Sequence, residues 1–288
     1  MKILSLYSFC LLSTLFLSSW GFYSHQLINE TAVYSLPKEL IPFFKFNQYL
    51  IKEYAVNPDK RVHIDTNEAV KHFIDLDRHK LTDSLFLPWY KVEKLHSPSY
   101  LLARGIIPWQ IKRTYDQLKE ALEQKNTDRI IKLAADLGHY MADAHVPLHT
   151  SSNYNGQFSN QTGIHALWET RIPEKFASQY NLLTGKADYI EDVLSYSWNT
   201  IQQSHQLLDS LLIKDRMVKA LIPVLQQKSY NFRNKVIMHS YSDHYVQTYH
   251  KLLHGMVEKQ LRSSIHAVAS LWYSAWIEAG QPHLKIKR

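Results

Sequence analysis

The stretch from His139 to Glu169 reads HYMADAHVPLHTSSNYNGQFSNQTGIHALWE and decides how the rest of the chain is interpreted. It concentrates side chains of the kinds that bind metal ions within one short span. They are His139, Asp143, His149, His165 and Glu169. We expect the remaining sequence to supply the scaffold and further ligands for this cluster.

The first part of this stretch predicts the end of a helix. The run TDRIIKLAADLGHYMADAH repeats apolar residues at helical spacing. Thr127 or Asp128 stands where the N-cap of that helix is expected. Pro147 cannot continue a helix, so the helix should end near Ala144.

The spacing of the five residues favours a metal site. His139 and Asp143 are four residues apart, so they share one face of the predicted helix. His165 and Glu169 repeat that spacing on a second helix, and His149 lies just past the end of the first. A single such pair is usually a salt-bridged surface pair, and a hydrogen-bonded polar cluster is the alternative. The whole set, with nitrogen and oxygen ligands and no thiolate, suits zinc.

The N-terminal segment predicts export. Residues 1–19, MKILSLYSFCLLSTLFLSS, carry one positive charge and then an apolar run that is short for a membrane span. This is the outline of a cleavable signal peptide, with an uncleaved membrane anchor as the alternative. Cleavage after Ser19 would make Trp20 the first residue of a secreted or periplasmic protein.

Composition indicates one domain, residues 20–288, without disulfides. The chain has 288 residues, 8 glycines and a net charge of +7, and it contains no low-complexity tract or charge block. Its only cysteine, Cys10, lies in the predicted signal peptide. The mild positive charge is compatible with anionic substrates but does not require them.

No segment sustains the alternation that is typical of strands, so we predict an all-α fold, a single compact domain of many helices. A helix should open at Pro108. Two more should occupy residues 187–213 and 215–236, and a long amphipathic helix should run from Ser242 to Ala279. The histidines and aspartate of the last region are more simply packed or solvated than a second metal site. These residues are His239, Asp243, His250 and His254.

The region around Asp59 offers two carboxylates. Asp65 or Thr66 looks like the start of a helix, with Glu68 reaching back as a capping box. His72 would then lie on that helix. Because this arrangement gives Asp65 a structural role, Asp59 is the freer carboxylate and the preferred metal ligand.

Four motifs together resemble one enzyme superfamily. They are Trp20 with the nearby His25, an aspartate followed by HF-x-D at 72–75, H-x-x-x-D-x-H-x-P-x-H at 139–149, and H-x-x-W-E at 165–169. In order and spacing they resemble the zinc-dependent phospholipases C and the single-strand-specific nucleases of fungi and plants. The resemblance covers most of the chain after the predicted signal peptide.

The resemblance implies three zinc ions in a cleft of an all-helical domain. One would bind Asp59, His72, His139 and Asp143; a second would bind His149, His165 and Glu169; the third would bind the α-amine and carbonyl oxygen of Trp20, with His25 and a bridging Asp143. It also implies that Asp59 is the partner or general base for the attacking water. Asp75 and Arg61 are weaker candidates for substrate contact, and Asn153 or Asn155 could add a polar contact.

These expectations define three functions. The first is a phospholipase C-like hydrolase of phosphate esters, and the second is a single-strand nuclease or 3′-nucleotidase. A non-catalytic, zinc-stabilised binding module is third. The short gap between His149 and His165 and the final Glu169 favour the phospholipase branch, whereas the spacing of His25 from Trp20 favours the nuclease branch. We therefore expect phospholipid or single-stranded nucleic acid as substrate, transient membrane-surface contact and no stable protein partner.

Overall fold

Helices form almost all of the regular structure. The computed structural model describes residues 21–79, 83–233 and 236–286. The helices are α1 Phe22–Ala32, α2 Ile41–Phe46, α3 Gln48–Tyr54, α4 Asn57–Arg61, α5 Trp89–Leu95, α6 Pro98–Leu102, α7 Ile107–Glu123, α8 Thr127–Ala144, α9 Ile164–Ala166, α10 Ile172–Phe176, α11 Val193–His205, α12 Leu208–Leu221, α13 Val224–Gln227, α14 Asp243–Leu252 and α15 Met256–Glu278. The strands are β1 Lys228–Arg233 and β2 Val236–Tyr241.

The prediction of an all-α fold is confirmed. Within the described residues, the only sheet is the antiparallel pair β1 and β2, whose register joins Lys228 to Tyr241 and Arg233 to Val236. In the same part of the chain, no helix combines the length and apolarity that crossing a membrane would need. The predicted signal peptide, residues 1–19, and Trp20 lie outside the described residues.

Helix α8 is the central element, and α1, α3, α7, α11 and α15 pack around it. Its extent is as predicted, but its N-cap is neither Thr127 nor Asp128. Asn126 caps the helix, because its side-chain oxygen accepts the backbone N–H of Arg129 at 3.2 Å. From α15, the buried Trp272 indole donates to the carbonyl of Ala134 at 3.0 Å.

Helices α1 and α8 approach each other closely at Gly138. The buried Asn29 amide of α1 donates to the carbonyl of Ala135 at 3.0 Å, and a Cβ atom on Gly138 would overlap the Asn29 Oδ1. His25 lies one turn before Asn29, and His139 directly follows Gly138. This packing therefore sets the distance between two predicted metal ligands.

Two predicted helices are wrong in their extent. Residues 187–213 contain α11 and the start of α12, which are separate helices. The predicted helix at 215–236 is wrong, because α12 ends at Leu221 before Pro223 and the chain then enters α13 and β1. Proline restricts the residue before it to extended conformations. The following residues, rich in β-branched and aromatic side chains, suit strands.

The predicted C-terminal helix is interrupted. His254 and Gly255 adopt positive φ angles of 49° and 77°, and this left-handed pair separates α14 from α15. Glycine adopts that conformation without a steric penalty, so Gly255 is the sequence feature that marks the break. The helix predicted after Asp65 is also absent; a 3₁₀ turn, Ala69–Lys71, precedes His72.

We expect Gly138→Ala to destabilise the fold. Glycine-to-alanine substitution in a helix normally stabilises by up to about 1 kcal/mol. Here the added methyl group meets Asn29, and overpacking costs about 1–3 kcal/mol, so the free energy of unfolding should fall. Chemical denaturation measures the change.

The double variant Asn29→Ala/Gly138→Ala is the control, because it removes the overlapping amide. It should be less destabilised than the sum of the two single variants. A Gly138→Ala protein as stable as the wild type would contradict this account of the packing.

Candidate metal centre

The structure brings together every predicted ligand that it describes. Eight side chains form four overlapping groups, and in each group the ligand atoms lie within 4.8 Å of one another. The groups are His72, His139 and Asp143; His149, His165 and Glu169; His25, Asp143 and Glu169; and His25, Asp59 and His139.

The first group combines two histidines with a buried carboxylate. Asp143 Oδ2 lies 2.9 Å from His72 Nδ1 and 3.3 Å from His139 Nε2, and the two nitrogens are 3.0 Å apart. Asp59 Oδ1 is farther out, 3.8 Å from His72 Nδ1 and 3.6 Å from His139 Nε2. Asp59 therefore completes this group from α4.

The second group lies on a continuous helical segment, residues 164–176, and on the 3₁₀ turn Pro147–Thr150. Glu169 Oε2 is 2.6 Å from His165 Nε2 and 3.4 Å from His149 Nε2. Residues Leu167–Arg171 form a π turn. Pro173 has no N–H to donate to the Glu169 carbonyl, which instead accepts the Ser24 hydroxyl at 2.7 Å. The π turn thus ties the second group to α1.

Two carboxylates connect the groups through their separate oxygens. Asp143 turns Oδ2 to the first group, while its Oδ1 lies 3.3 Å from His25 Nε2. Glu169 turns Oε2 to the second group, while its Oε1 also lies 3.3 Å from His25 Nε2. Each carboxylate is therefore placed to serve two neighbouring positions, with His25 between them.

The donor set fits zinc in both chemistry and spacing. Four-coordinate zinc with bonds of about 2.0–2.1 Å separates its ligand atoms by about 3.3 Å. The nitrogen–oxygen and nitrogen–nitrogen separations cited for the first two groups range from 2.6 to 3.4 Å, except that Asp59 lies 3.6 and 3.8 Å from the two histidines of the first group. Imidazole and carboxylate are both zinc ligands. The side chains are thus arranged as groups that could hold a metal ion, and their donor atoms suit zinc.

Backbone carbonyls orient two of the imidazoles. His139 donates from Nδ1 to the Ala55 carbonyl at 2.8 Å, which leaves Nε2 as the ligand atom. His149 donates from Nδ1 to the His72 carbonyl at 2.6 Å, and its own carbonyl accepts the N–H of Ile74 at 2.9 Å. His145, the third histidine of the motif, instead bonds the Met141 carbonyl through Nδ1 at 2.8 Å and joins none of the four groups.

Sequence reasoning missed the polar network behind His72. The buried Glu68 carboxylate lies 3.7 Å from His72 Nε2, pairs with Lys71 at 2.6 Å and Arg61 at 3.2 Å, and accepts the Tyr140 hydroxyl. The expected capping role of Glu68 is therefore wrong. The four-residue spacing of Glu68 and His72 could have indicated this network, because that spacing also suits a carboxylate that lies behind an imidazole.

The structure places Arg61 and Asp75 away from the four ligand groups. Arg61 pairs with Asp136 at 2.9 Å as well as with Glu68, so it supports the network behind His72. Asp75 is buried, and its carboxylate lies 3.9 Å from Arg78. Burial and the nearby Asp77 raise the pKa of Asp75 to about 6.

Three further candidate residues, Asp65, Asn153 and Asn155, lie in loops, and Asn155 also lines the cleft. The Asp65 carboxylate accepts the N–H of Asn67 at 2.9 Å and belongs to no ligand group. Asn153 accepts the N–H of Phe158 at 2.8 Å within its own loop. Asn155 lines the cleft and accepts the N–H of Gly163 at 3.0 Å.

The four polar residues of the C-terminal region form no metal group within the described part of the chain. His250 stacks on Phe176, with ring centroids 3.9 Å apart, and hydrogen-bonds the Tyr180 hydroxyl at 2.8 Å. Asp243 pairs with Arg171 and Lys175. His239 lines the cleft and His254 is exposed in the break between α14 and α15.

Proton binding competes with metal binding at this centre. Burial disfavours a charged His72, but Asp143 and Glu68 outweigh it and raise the pKa of His72 to about 10. Burial opposes charge on His149 too, yet Asp143 and Glu169 raise its pKa to about 9. Conversely, although burial favours the neutral acid, the charges of His139 and His149 hold the pKa of Asp143 well below its usual range.

A cleft of about 520 Å³ opens onto these ligands. Asp59, Asp143, His149, His165 and Glu169 form part of its lining. The hairpin of β1 and β2 adds another wall that the sequence did not predict, because residues 228–236 were predicted to be helical and no strand was predicted at 237–241. Its contributions to the lining are Lys228, His239, Ser240 and Tyr241.

Comparison with known proteins shows likeness in structure but not in sequence. No protein-family model matches the chain, and no curated protein matches it. The crystal structure of the Clostridium perfringens alpha-toxin from avian strain SWCP is similar, with a TM-score of 0.54 and 15% sequence identity. The alignment covers 92% of this chain and 65% of the toxin chain. The chain therefore has the fold of that part of the toxin.

We expect the centre to take up zinc more tightly as the pH rises from 6 to about 9. His72 and His149 carry protons at pH 7 in the metal-free protein, and an imidazole must lose its proton to bind a metal. Metal uptake should therefore release protons. Calorimetric titration at one pH in two buffers of different protonation enthalpy measures how many protons are released per zinc ion bound. Zinc binding without proton release at pH 7 would contradict the raised pKa values of His72 and His149.

Proposed function

We propose that this protein is a zinc-dependent hydrolase of phosphate diesters of the phospholipase C type. One observation carries the proposal: four overlapping ligand groups, joined through Asp143 and Glu169, lie at a cleft large enough for a small substrate group. The fold shared with a bacterial toxin and the motif resemblance of the sequence both support it. The activity would depend on the metal ligands, which include Asp59.

The proposal assigns three zinc positions. The first takes Asp59, His72, His139 and Asp143; the second takes His149, His165 and Glu169; the third takes His25 and Asp143 with the backbone of Trp20. Trp20 lies outside the described residues, but Gly21 supports its assignment. A Cβ atom on Gly21 would lie 2.7 Å from Glu169 Oε1 and 3.3 Å from His25 Nε2, so the chain passes directly beside the third position.

The proposed third position links activity to export. A free α-amine has a pKa near 8, and together with its own carbonyl it can chelate a metal in a five-membered ring. Removal of residues 1–19 would create that amine at Trp20. We therefore propose that the active form is the secreted or periplasmic one.

Residues of the chain itself would accept the proton of the attacking water and keep the metal ligands in position. When bound, closely spaced zinc ions lower the pKa of water toward about 7 and stabilise negative charge on phosphate oxygens. Asp59 is 26% exposed and lines the cleft, so its carboxylate can accept the proton of the attacking water. The Ala55 carbonyl holds the His139 ring through its hydrogen bond, and the buried Glu68 places a negative charge 3.7 Å behind His72.

Features at the cleft favour each branch of the superfamily. Val62 lines the cleft, and Ile64, two residues later, is 86% exposed, which suits contact with a lipid surface. Tyr154, Tyr241 and Lys228 also line it, and such a combination of rings and a cation suits a single nucleic-acid strand. A nuclease is therefore the second candidate. A structural zinc module fits less well, because structural sites are closed, whereas this one opens to a cleft.

We expect Asp143→Asn to lose metal at two of the three proposed positions, because each carboxylate oxygen faces a different ligand group. Total-metal analysis of purified, dialysed protein measures the loss. Asp65→Asn is the matched control and should retain its full metal content, because Asp65 is exposed and joins no ligand group. Loss of a single ion in Asp143→Asn would mean that the carboxylate does not bridge.

The substrate branch is tested with zinc-loaded protein that begins at Trp20. One reaction contains phosphatidylcholine vesicles, and the other contains single-stranded DNA or RNA. We expect diacylglycerol release from the vesicles. Nucleotide release alone would assign the nuclease branch, and no product in either reaction, with three zinc ions bound, would contradict the proposed hydrolase.

A further inference from the structure

One face of the β1–β2 hairpin forms a wall of the cleft. The register pairs Lys228 with Tyr241 and Tyr230 with His239. Cross-strand partners point to the same side of a sheet, and alternate residues along a strand share that side. Lys228, Tyr241 and His239 all line the cleft. The hairpin thus presents a lysine at its base to the same space as the metal ligands.

The lysine ammonium lies over the Tyr241 ring and close to Gly163. Lys228 Nζ lies over the Tyr241 ring, 3.2 Å from its centroid. The same ammonium is 3.7 Å from the position that a Cβ atom on Gly163 would occupy. Gly163 comes two residues before His165, so the cation stands beside the start of the segment that carries the second ligand group.

Lys228 lacks an anionic partner within the described part of the chain. Among the described residues no carboxylate forms an ion pair with its ammonium, and the nearby Asp215, whose charge acts on Lys228 from farther away, is paired with Lys219. The neighbouring Lys219, in contrast, pairs with Asp215 at 3.5 Å and donates to the Asn160 carbonyl at 2.6 Å. Burial and the charge of Lys219 lower the pKa of Lys228 to about 8, which leaves it largely protonated at pH 7. A partly buried cation of this kind favours a bound anion.

We propose that Lys228, held on the Tyr241 ring, binds a second phosphate group of the substrate beside the phosphate ester at the metal centre. The inference rests on the proposed function and narrows its substrate class. Lys228 shares the cleft with the ligand carboxylates but does not contact them, so it suits a group farther along the substrate. A second phosphate occurs both in a nucleic-acid strand and in a phosphorylated lipid headgroup.

Two substrate pairs, each differing by one phosphate, test the assignment. One pair is thymidylyl-thymidine with and without a 5′-phosphate. The other is phosphatidylinositol 4-phosphate and phosphatidylinositol, each in phosphatidylcholine vesicles. In one pair, the wild type should prefer the member with the second phosphate by about tenfold in kcat/KM, because a charge-assisted hydrogen bond contributes that much. The pair that shows the preference identifies the source of the phosphate.

Substitutions at Lys228 then test the residue. Lys228→Met keeps most of the side chain's length and apolar stem, and it should bring the kcat/KM ratio of the preferred pair close to one. Lys228→Arg should retain the preference, because it keeps a cation that can stack on Tyr241. Lys45→Met is the matched control. It removes a lysine that lies over the Tyr34 ring at 4.4 Å, away from the cleft lining, and should not change the ratio.

The outcomes separate the two proposals. Hydrolysis without preference in either pair would overturn the role of Lys228 and leave the proposed hydrolase intact. A ratio unchanged in Lys228→Met would do the same, even if kcat/KM fell equally for both members of the pair. Failure of the zinc-loaded protein to hydrolyse any of the four substrates, phosphatidylcholine or single-stranded nucleic acid would overturn the proposed function, and this inference with it.

Discussion

The Asp143 carboxylate is the constraint on which the centre depends. It is almost completely buried, so its negative charge requires cations or hydrogen-bond donors around it. His72 and His139 meet one of its oxygens and His25 meets the other. In the metal-free protein the raised pKa of His72, about 10, lets this imidazole supply positive charge as a proton, and a bound metal ion would supply it in its place. The histidines can therefore converge only because a buried anion lies between them.

Hydrogen bonds to neighbouring segments of the fold hold the ligand groups in position. Pro173 has no N–H for the Glu169 carbonyl, which instead accepts the Ser24 hydroxyl, and this bond joins the segment of the second group to α1. The carbonyls of Ala55 and His72 fix which nitrogen of His139 and of His149 faces the centre. Such contacts restrict imidazole rotation and raise ligand basicity, so they are as much a part of the site as the ligands.

The sequence predicted what depends on local spacing and missed what depends on tertiary contacts. The extent of α8 followed from its periodicity and from Pro147, and the motif spacings brought together His139, Asp143, His149, His165 and Glu169. The N-cap differed by one residue, because Asn, Thr and Asp all stand next to one another. Glu68 was assigned to a cap because its partners are set by tertiary packing: Arg61 lies on α4 and Tyr140 lies on α8. The hairpin was missed because a strand pair takes its stability from packing and pairing rather than from local pattern.

The ligands and the hairpin occupy different parts of the chain. Every described ligand lies between His25 and Glu169, whereas the hairpin wall begins at Lys228. Surface hairpins tolerate insertion and substitution better than buried helices do. Evolution could therefore alter the hairpin's length or residues without disturbing the candidate metal ligands. On the proposed role of Lys228, related chains that share this centre could diverge in substrate choice through this one element, and a hairpin graft would alter the cleft wall while leaving the ligand groups in place.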